Sequence, residues 1–228
     1  MKKITDVFIK AVRIVLAVAL GLAAVFIPAG TLAWPEAWIV VGAYFVFVIA
    51  LILRIKKRDP ELYKERTARQ KEGKRWDKIL LSFYTVFLLL MLATAGLDGV
   101  RFQLSRVPLG VKIGAFAAFV PIGLLFFLVY RENTFASKVV RVQKDRHQRV
   151  IDSGPYRVVR HPMYSAIILL VIDVPLALGS WWALVFSGLI VIVFVIRTYL
   201  EDATLKKELP GYAEYAKKTR FRLIPGVW

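Results

Sequence analysis

Met163-Tyr164-Ser165-Ala166-Ile167-Ile168-Leu169-Leu170-Val171-Ile172-Asp173-Val174-Pro175-Leu176-Ala177-Leu178-Gly179-Ser180-Trp181-Trp182 decides the fold. An apolar run ends at Leu178, a Gly-Ser pair follows, and a second apolar run continues from Trp181 to Tyr199. A turn this short predicts an antiparallel helical hairpin, with Ser180 as the N-cap of its second helix. Four further apolar segments precede it, at Phe8–Ile27, Glu36–Leu53, Ile79–Leu97 and Val111–Tyr130. Roughly 20 helical residues cross a hydrocarbon core, so the expectation is an all-α, polytopic membrane protein of about six transmembrane segments. No repeat or linker interrupts the chain, and residues 1–228 read as a single integral-membrane domain.

Composition supports this class. The chain is 58% hydrophobic, has a mean hydropathy of +0.58, and still carries a net charge of +17. Lysine and arginine alternate in density: four in residues 1–13, eleven in 54–78, two in 97–110, eight in 131–162 and six after residue 200. This is the positive-inside pattern, and it places both termini and the two long basic loops in the cytosol. Basic loops this close to apolar spans point to anionic lipid rather than nucleic acid. The first apolar run lacks a small-x-small cleavage site and reads as a retained helix. Residues 54–78 read as an amphipathic helix on the cytosolic leaflet. Trp34, Trp38, Trp76, Trp181 and Trp182 fall near span ends, as in interfacial belts.

There are no cysteines, which excludes disulfides and thiolate chemistry, and two histidines are too few for a histidine-rich metal centre. No GxGxxG, Walker loop, HExxH or serine elbow is present. What remains is a polar stretch between apolar runs, Gly154-Pro155-Tyr156-Arg157-Val158-Val159-Arg160-His161-Pro162-Met163-Tyr164. Pro162 suits the first helical turn and sets His161 at the helix start, where backbone amides can receive an anion. The alternative is an interfacial anchor, with Arg157 and Arg160 on lipid phosphates. Arg197 and Glu201 are spaced i,i+4 and share a helix face. They form either a plain intrahelical pair or two poles of a pocket, Glu201 for a cationic group and Arg197 for an anionic one. Asp173 within an apolar span costs roughly 2.5–3.5 kcal/mol on insertion scales, so a partner or an interface is expected for it.

These residues resemble the isoprenylcysteine carboxyl methyltransferase family of integral-membrane methyltransferases. The resemblance rests on Asn133-Thr134-Phe135, Arg141-Val142-Gln143, Ser153-Gly154-Pro155-Tyr156, Arg160-His161-Pro162-Met163-Tyr164, Arg197-x-x-x-Glu201-Asp202-x-x-Leu205 and Pro210-Gly211-Tyr212-x-x-Tyr215. It covers roughly residues 130–228; the second acidic position is Asp202 here, where the family often has Glu. The resemblance implies S-adenosylmethionine as cofactor, lined by Gln143, Gln148, Arg149, Val150, Ile151, Tyr156, His161, Pro162, Met163, Tyr164 and Glu201. It implies Arg197 at the substrate carboxylate, and a lipophilic or prenylated substrate. Residues 1–130 then supply four N-terminal helices, and 131–228 the cofactor-binding catalytic region. Phospholipid N-methylation, NADPH-dependent membrane reduction and a non-enzymatic membrane scaffold stay open as alternatives.

Overall fold

A computed structural model describes residues 2–67 and 73–228. Eight α-helices and no strands occur among the described residues: α1 (Lys2–Ala29), α2 (Pro35–Arg58), α3 (Pro60–Thr67), α4 (Arg75–Gly96), α5 (Leu109–Glu132), α6 (Pro162–Leu178), α7 (Ala183–Glu208) and α8 (Tyr212–Lys218). α4 runs on into one π-helical turn, Leu97–Arg101. Four stretches are long and apolar enough to cross a membrane: α2, α4 with its π turn, α5 and α7. Ile14–Ala29 of α1 and the whole of α6 are apolar but shorter. The outer faces carry exposed Ile14, Leu20, Val46, Val120, Val185 and Ile192. Helices apolar all round belong in lipid, and the chain has the character of an integral membrane protein.

α4 packs between α1 and α7, α7 lies on α6, α6 lies on α5, and α2 touches α5 and α6. The core joins Val25, Phe26 and Ala29 of α1 to Met91 and Ala95 of α4, Val171 and Leu178 of α6, and Ile190 and Phe194 of α7. Gly96 makes the α1–α4 seam possible, since a Cβ there would stand 2.8 Å from the Val25 carbonyl and 2.9 Å from the Ala29 nitrogen. Trp34 departs from the belt expectation: it is buried against Phe26, while Trp38, Trp181 and Trp182 are exposed.

α6 stops at Gly179, whose φ of 81° is the left-handed C-cap conformation, and the Ser180 amide reaches back to the Pro175 carbonyl at 2.9 Å. Ser180 Oγ accepts the Ala183 amide at 3.1 Å and so caps α7 as its sequence position suggests. Ser180 also donates to Asp98 Oδ2 at 2.5 Å. That oxygen further receives Ser105 Oγ at 2.6 Å and the Trp182 amide at 3.2 Å. One buried carboxylate therefore holds the π turn, the loop before α5 and the start of α7 together.

Residues 54–78 do not form one amphipathic helix. α2 continues to Arg58, Asp59 ends it, and Pro60 opens the separate α3. Proline lacks the amide a continuous helix needs, and Asp59 Oδ1 instead caps α3 through the Leu62 amide at 2.9 Å. Residues 68–72 of that segment lie outside the described residues.

Candidate functional site

Pro162 begins α6 and is fully buried, which fixes where the preceding loop meets the bundle. That loop is held from below by residues 219–222. The Arg160 and His161 amides donate to the Phe221 and Arg222 carbonyls, both at 2.9 Å. The amides of Tyr164 and Ser165 donate to the His161 carbonyl. His161 and its neighbours therefore do not present the row of free amides that the sequence suggests.

Arg160 is no lipid anchor either. It is buried, with Nε 2.7 Å from Asp202 Oδ1, Nη2 3.1 Å from Oδ2, and Nη1 donating to the Thr219 and Arg220 carbonyls. Burial opposes the Arg160 charge, but the Asp202 carboxylate outweighs that and holds its guanidinium above the ordinary range. Asp202 also gathers Arg222 at 3.2 Å, Lys206 at 3.0 Å and the Tyr212 hydroxyl at 3.1 Å, with His161 Nε2 at 3.6 Å. It fastens α7, α8, the residues before α6 and the segment after α8 to one another.

Glu201, its neighbour in sequence, is placed quite differently. It faces a cleft lined by Asn133, Phe135 to Ser137, Val139 to Arg141, Gln148 to Ile151, Tyr156, Arg160, His161, Met163, Tyr164, Leu205, Leu209, Tyr212 and Tyr215. The Tyr164 hydroxyl donates to the Glu201 carboxylate. No cation pairs with Glu201 among the described residues, and Arg197 does not close an i,i+4 bridge to it. Glu201 is thus a half-buried carboxylate whose hydrogen bond comes from a neutral phenol, with the Arg197 charge nearby but not in contact.

Of the residues expected at the cofactor site, Gln148, Arg149, Val150, Ile151, Tyr156, His161, Met163, Tyr164 and Glu201 all line this cleft. Two do not. Pro162 is sealed in the core, and Gln143 is fully buried inside its own loop. Gln143 Nε2 donates to the Phe135 carbonyl and its Oε1 accepts Arg146, both at 2.7 Å. The main-chain groups of Arg149, Val150 and Ile151 make no hydrogen bond among the described residues, and so leave an edge of donors and acceptors along one wall. The tyrosines of the opposite wall are neutral. Burial pushes the Tyr156, Tyr212 and Tyr215 phenols well above their ordinary value, reinforced at Tyr212 by the Asp202 charge.

Arg197 stands one layer behind. Its guanidinium lies 5.0 Å from the Tyr164 ring centroid. Nε meets Asp77 Oδ1 at 2.7 Å, and Nη2 reaches Asp77 Oδ2 at 3.3 Å and the Lys138 carbonyl at 3.0 Å. Asp77 also accepts the Val140 amide at 2.8 Å, tying α4 and α7 to the cleft wall. Nη1 has no hydrogen bond among the described residues, although Arg197 as a whole is buried and does not itself line the cleft. Sequence reasoning missed Asp77. Its signal was a single acid in Lys74-Arg75-Trp76-Asp77-Lys78, at the opening of an apolar helix.

Asp173 is 8% exposed, and its Oδ2 has no hydrogen-bond partner among the described residues. It lies on α6 away from the cleft lining.

No curated protein matches the chain. Among family models, that of the phospholipid methyltransferases matches residues 112–210, from α5 to the end of α7. Over the stretch that builds most of the cleft, the chain is similar to a family of membrane methyltransferases.

Proposed function

We propose that this chain is an integral-membrane methyltransferase that uses S-adenosylmethionine and methylates a lipophilic acceptor through a carboxylate. The observation that carries the reading is Glu201, held by Tyr164 at the cleft surface with no cation of its own. The residues present fit a zwitterionic sulfonium. Glu201 takes an ammonium group, and Arg149, which has no ion pair among the described residues, takes a carboxylate. The aromatic ring of Tyr156 suits a sulfonium, and the unpaired edge of 149–151 suits the hydrogen-bonding rim of a base.

When bound, the cofactor would supply an electrophilic methyl group, to which an acceptor oxygen would bond as the carbon–sulfur bond breaks and the neutral thioether leaves. A carboxylate is ionised near neutral pH and needs no general base, which agrees with a site where His161 is stacked on Tyr164 and faces Asp202. Water is the obstacle, and Val150, Ile151, Met163, Leu205 and Leu209 exclude it. Asp77 holds Arg197 by two nitrogens and leaves Nη1 to orient the acceptor anion. Six spans with α6 and α7 as a hairpin, cytosolic termini, and the division at 130/131 complete the proposal. The charge alternation supports the orientation, and a cleft lined wholly between Asn133 and Tyr215 supports the division.

One specific finding favours a second reading, a phospholipid amine as acceptor: the similarity over 112–210 is to phospholipid methyltransferases. Titration calorimetry of the detergent-purified protein with S-adenosylmethionine and, separately, NADPH tests the cofactor. Methyl incorporation into prenylated cysteine and into phosphatidylethanolamine then separates the acceptors. Methylation of the amine alone sinks the carboxylate reading, and binding of NADPH alone sinks both.

A further inference from the structure

Beside the cleft, at the same end of the bundle, lies a second recess between α2 and α5. Leu51, Arg54, Ile55, Arg58, Asp59, Tyr130 and Arg131 line it. Three guanidinium groups therefore converge against one carboxylate. Asp59 is already committed, because its Oδ1 caps α3, and Arg131 pairs with Glu132 at 2.8 Å. Arg54 and Arg58 have no ion pair among the described residues. They sit i,i+4 on α2 and so face the same way. Arg54 is half-buried, its guanidinium 3.9 Å above the Phe127 ring, which fixes it in place without neutralising it.

The height of the recess is informative. α2 begins at Pro35, and Arg54 stands nineteen residues later; at about 1.5 Å per residue this is roughly 28 Å, one hydrocarbon thickness. The arginines thus lie where lipid phosphates lie, with Leu51 and the exposed Ile52 and Leu53 below them on the acyl side. Planar, fixed guanidinium pairs bind phosphate oxygens two at a time, which a mobile lysine does not match.

We propose that this recess is a binding site for the phosphate of an anionic membrane lipid, with an acyl chain following α2 and α5. Ile55, Tyr130, Ala136 and Met163 pack between the recess and the cleft. The site is therefore a neighbour of the methyl-transfer cleft and separate from it, and the inference stands whether or not the chain transfers methyl groups.

Native mass spectrometry of the full chain in detergent, with added dioleoylphosphatidylglycerol, dioleoylphosphatidylcholine or inorganic phosphate, is the test. The expected result is a retained phosphatidylglycerol adduct that Arg54→Gln/Arg58→Gln weakens by about tenfold or more, as loss of a charge-assisted pair implies. Arg54→Lys, which keeps the charge and loses the fork, should fall between. Thermal unfolding of each variant without lipid checks its fold; if the double variant is unfolded, Arg54→Lys and Arg131→Gln decide instead. Equal phosphatidylglycerol retention in folded variants and parent overturns the proposal. So does protection by inorganic phosphate as strong as that by the lipid, because the ligand is then a free anion. Equal binding of the zwitterionic lipid removes the anionic requirement and overturns it as well.

Discussion

Arg197 of α7 and Asp77 of α4 face each other at 2.7 Å across the bundle, 120 positions apart, with Asp77 fully buried and Arg197 nearly so. The pair explains how an arginine can be kept charged while buried behind the cleft wall. Its other consequence is vulnerability, because removing one partner leaves an uncompensated buried charge.

Asp77→Ala should therefore lower stability by about 3–5 kcal/mol, and the double change Asp77→Leu/Arg197→Met should recover much of it without recovering activity. Thermal unfolding in detergent measures the first effect, and methyl transfer the second. A double variant as unstable as Asp77→Ala contradicts this account of the pair.

Glu201 and Asp202 are adjacent and should fail in opposite ways. Glu201→Gln is expected to leave the melting temperature near that of the parent and to weaken S-adenosylmethionine binding by about tenfold or more, the worth of a charge-assisted bond. Asp202→Asn leaves Arg160 buried beside a neutral group and is expected to cost about 3 kcal/mol of stability. Calorimetric titration and melting on both variants give a two-by-two comparison. Matching losses in both columns would dissolve the distinction.

Alkaline pH should loosen the site end first. Tyr156, Tyr212 and Tyr215 have folded-state phenols held above their ordinary value by burial, whereas unfolded phenols ionise near 10. Above about pH 10 the unfolded state then binds fewer protons than the folded one, and stability falls as pH rises. Melting between pH 9 and 11 should show this decline, and Tyr215→Phe should make it shallower. A flat profile in the parent contradicts the burial of these phenols.

Gly96→Ala places a methyl group against the α1 backbone, at 2.8 Å from the Val25 carbonyl. Overpacking of this kind costs about 1–3 kcal/mol. Gly188→Ala on α7, where a Cβ meets nothing within 4 Å, is the matched control and should be neutral or slightly stabilising. Equal melting temperatures for the two variants count against the close α1–α4 approach.

The apolar runs located the long helices but not all their ends, since α1 begins six residues before Phe8, α2 runs five past Leu53 and α7 nine past Tyr199; Gly179-Ser180 announced both the end of α6 and the cap of α7. That Tyr156, His161, Tyr164 and Glu201 share one cleft lining follows from the short turn, which returns the end of α7 to the level of His161, whereas Met163 was expected there only from the family resemblance. What stayed hidden were pairings over long sequence separation. Nothing local in Trp76-Asp77 tells that its partner is Arg197, and nothing near Arg160 or Asp202 tells that they bind each other rather than lipid or ligand. Gln143 shows the same limit: a polar residue beside a site can belong to the loop's own framework. The break at Asp59-Pro60 was readable from proline chemistry, but the density of charge across 54–78 drew the reading toward one helix.

The hub at Asp98 has a mechanical meaning. Its carboxylate clasps the π turn, Ser105 and the first residues of α7 at the end of the bundle opposite the cleft. Asp202 does the same at the cleft end, where it gathers Arg160, Lys206, Tyr212 and Arg222. The apolar middle of the bundle is thus riveted at both ends, each time by one buried carboxylate that draws in donors from several segments.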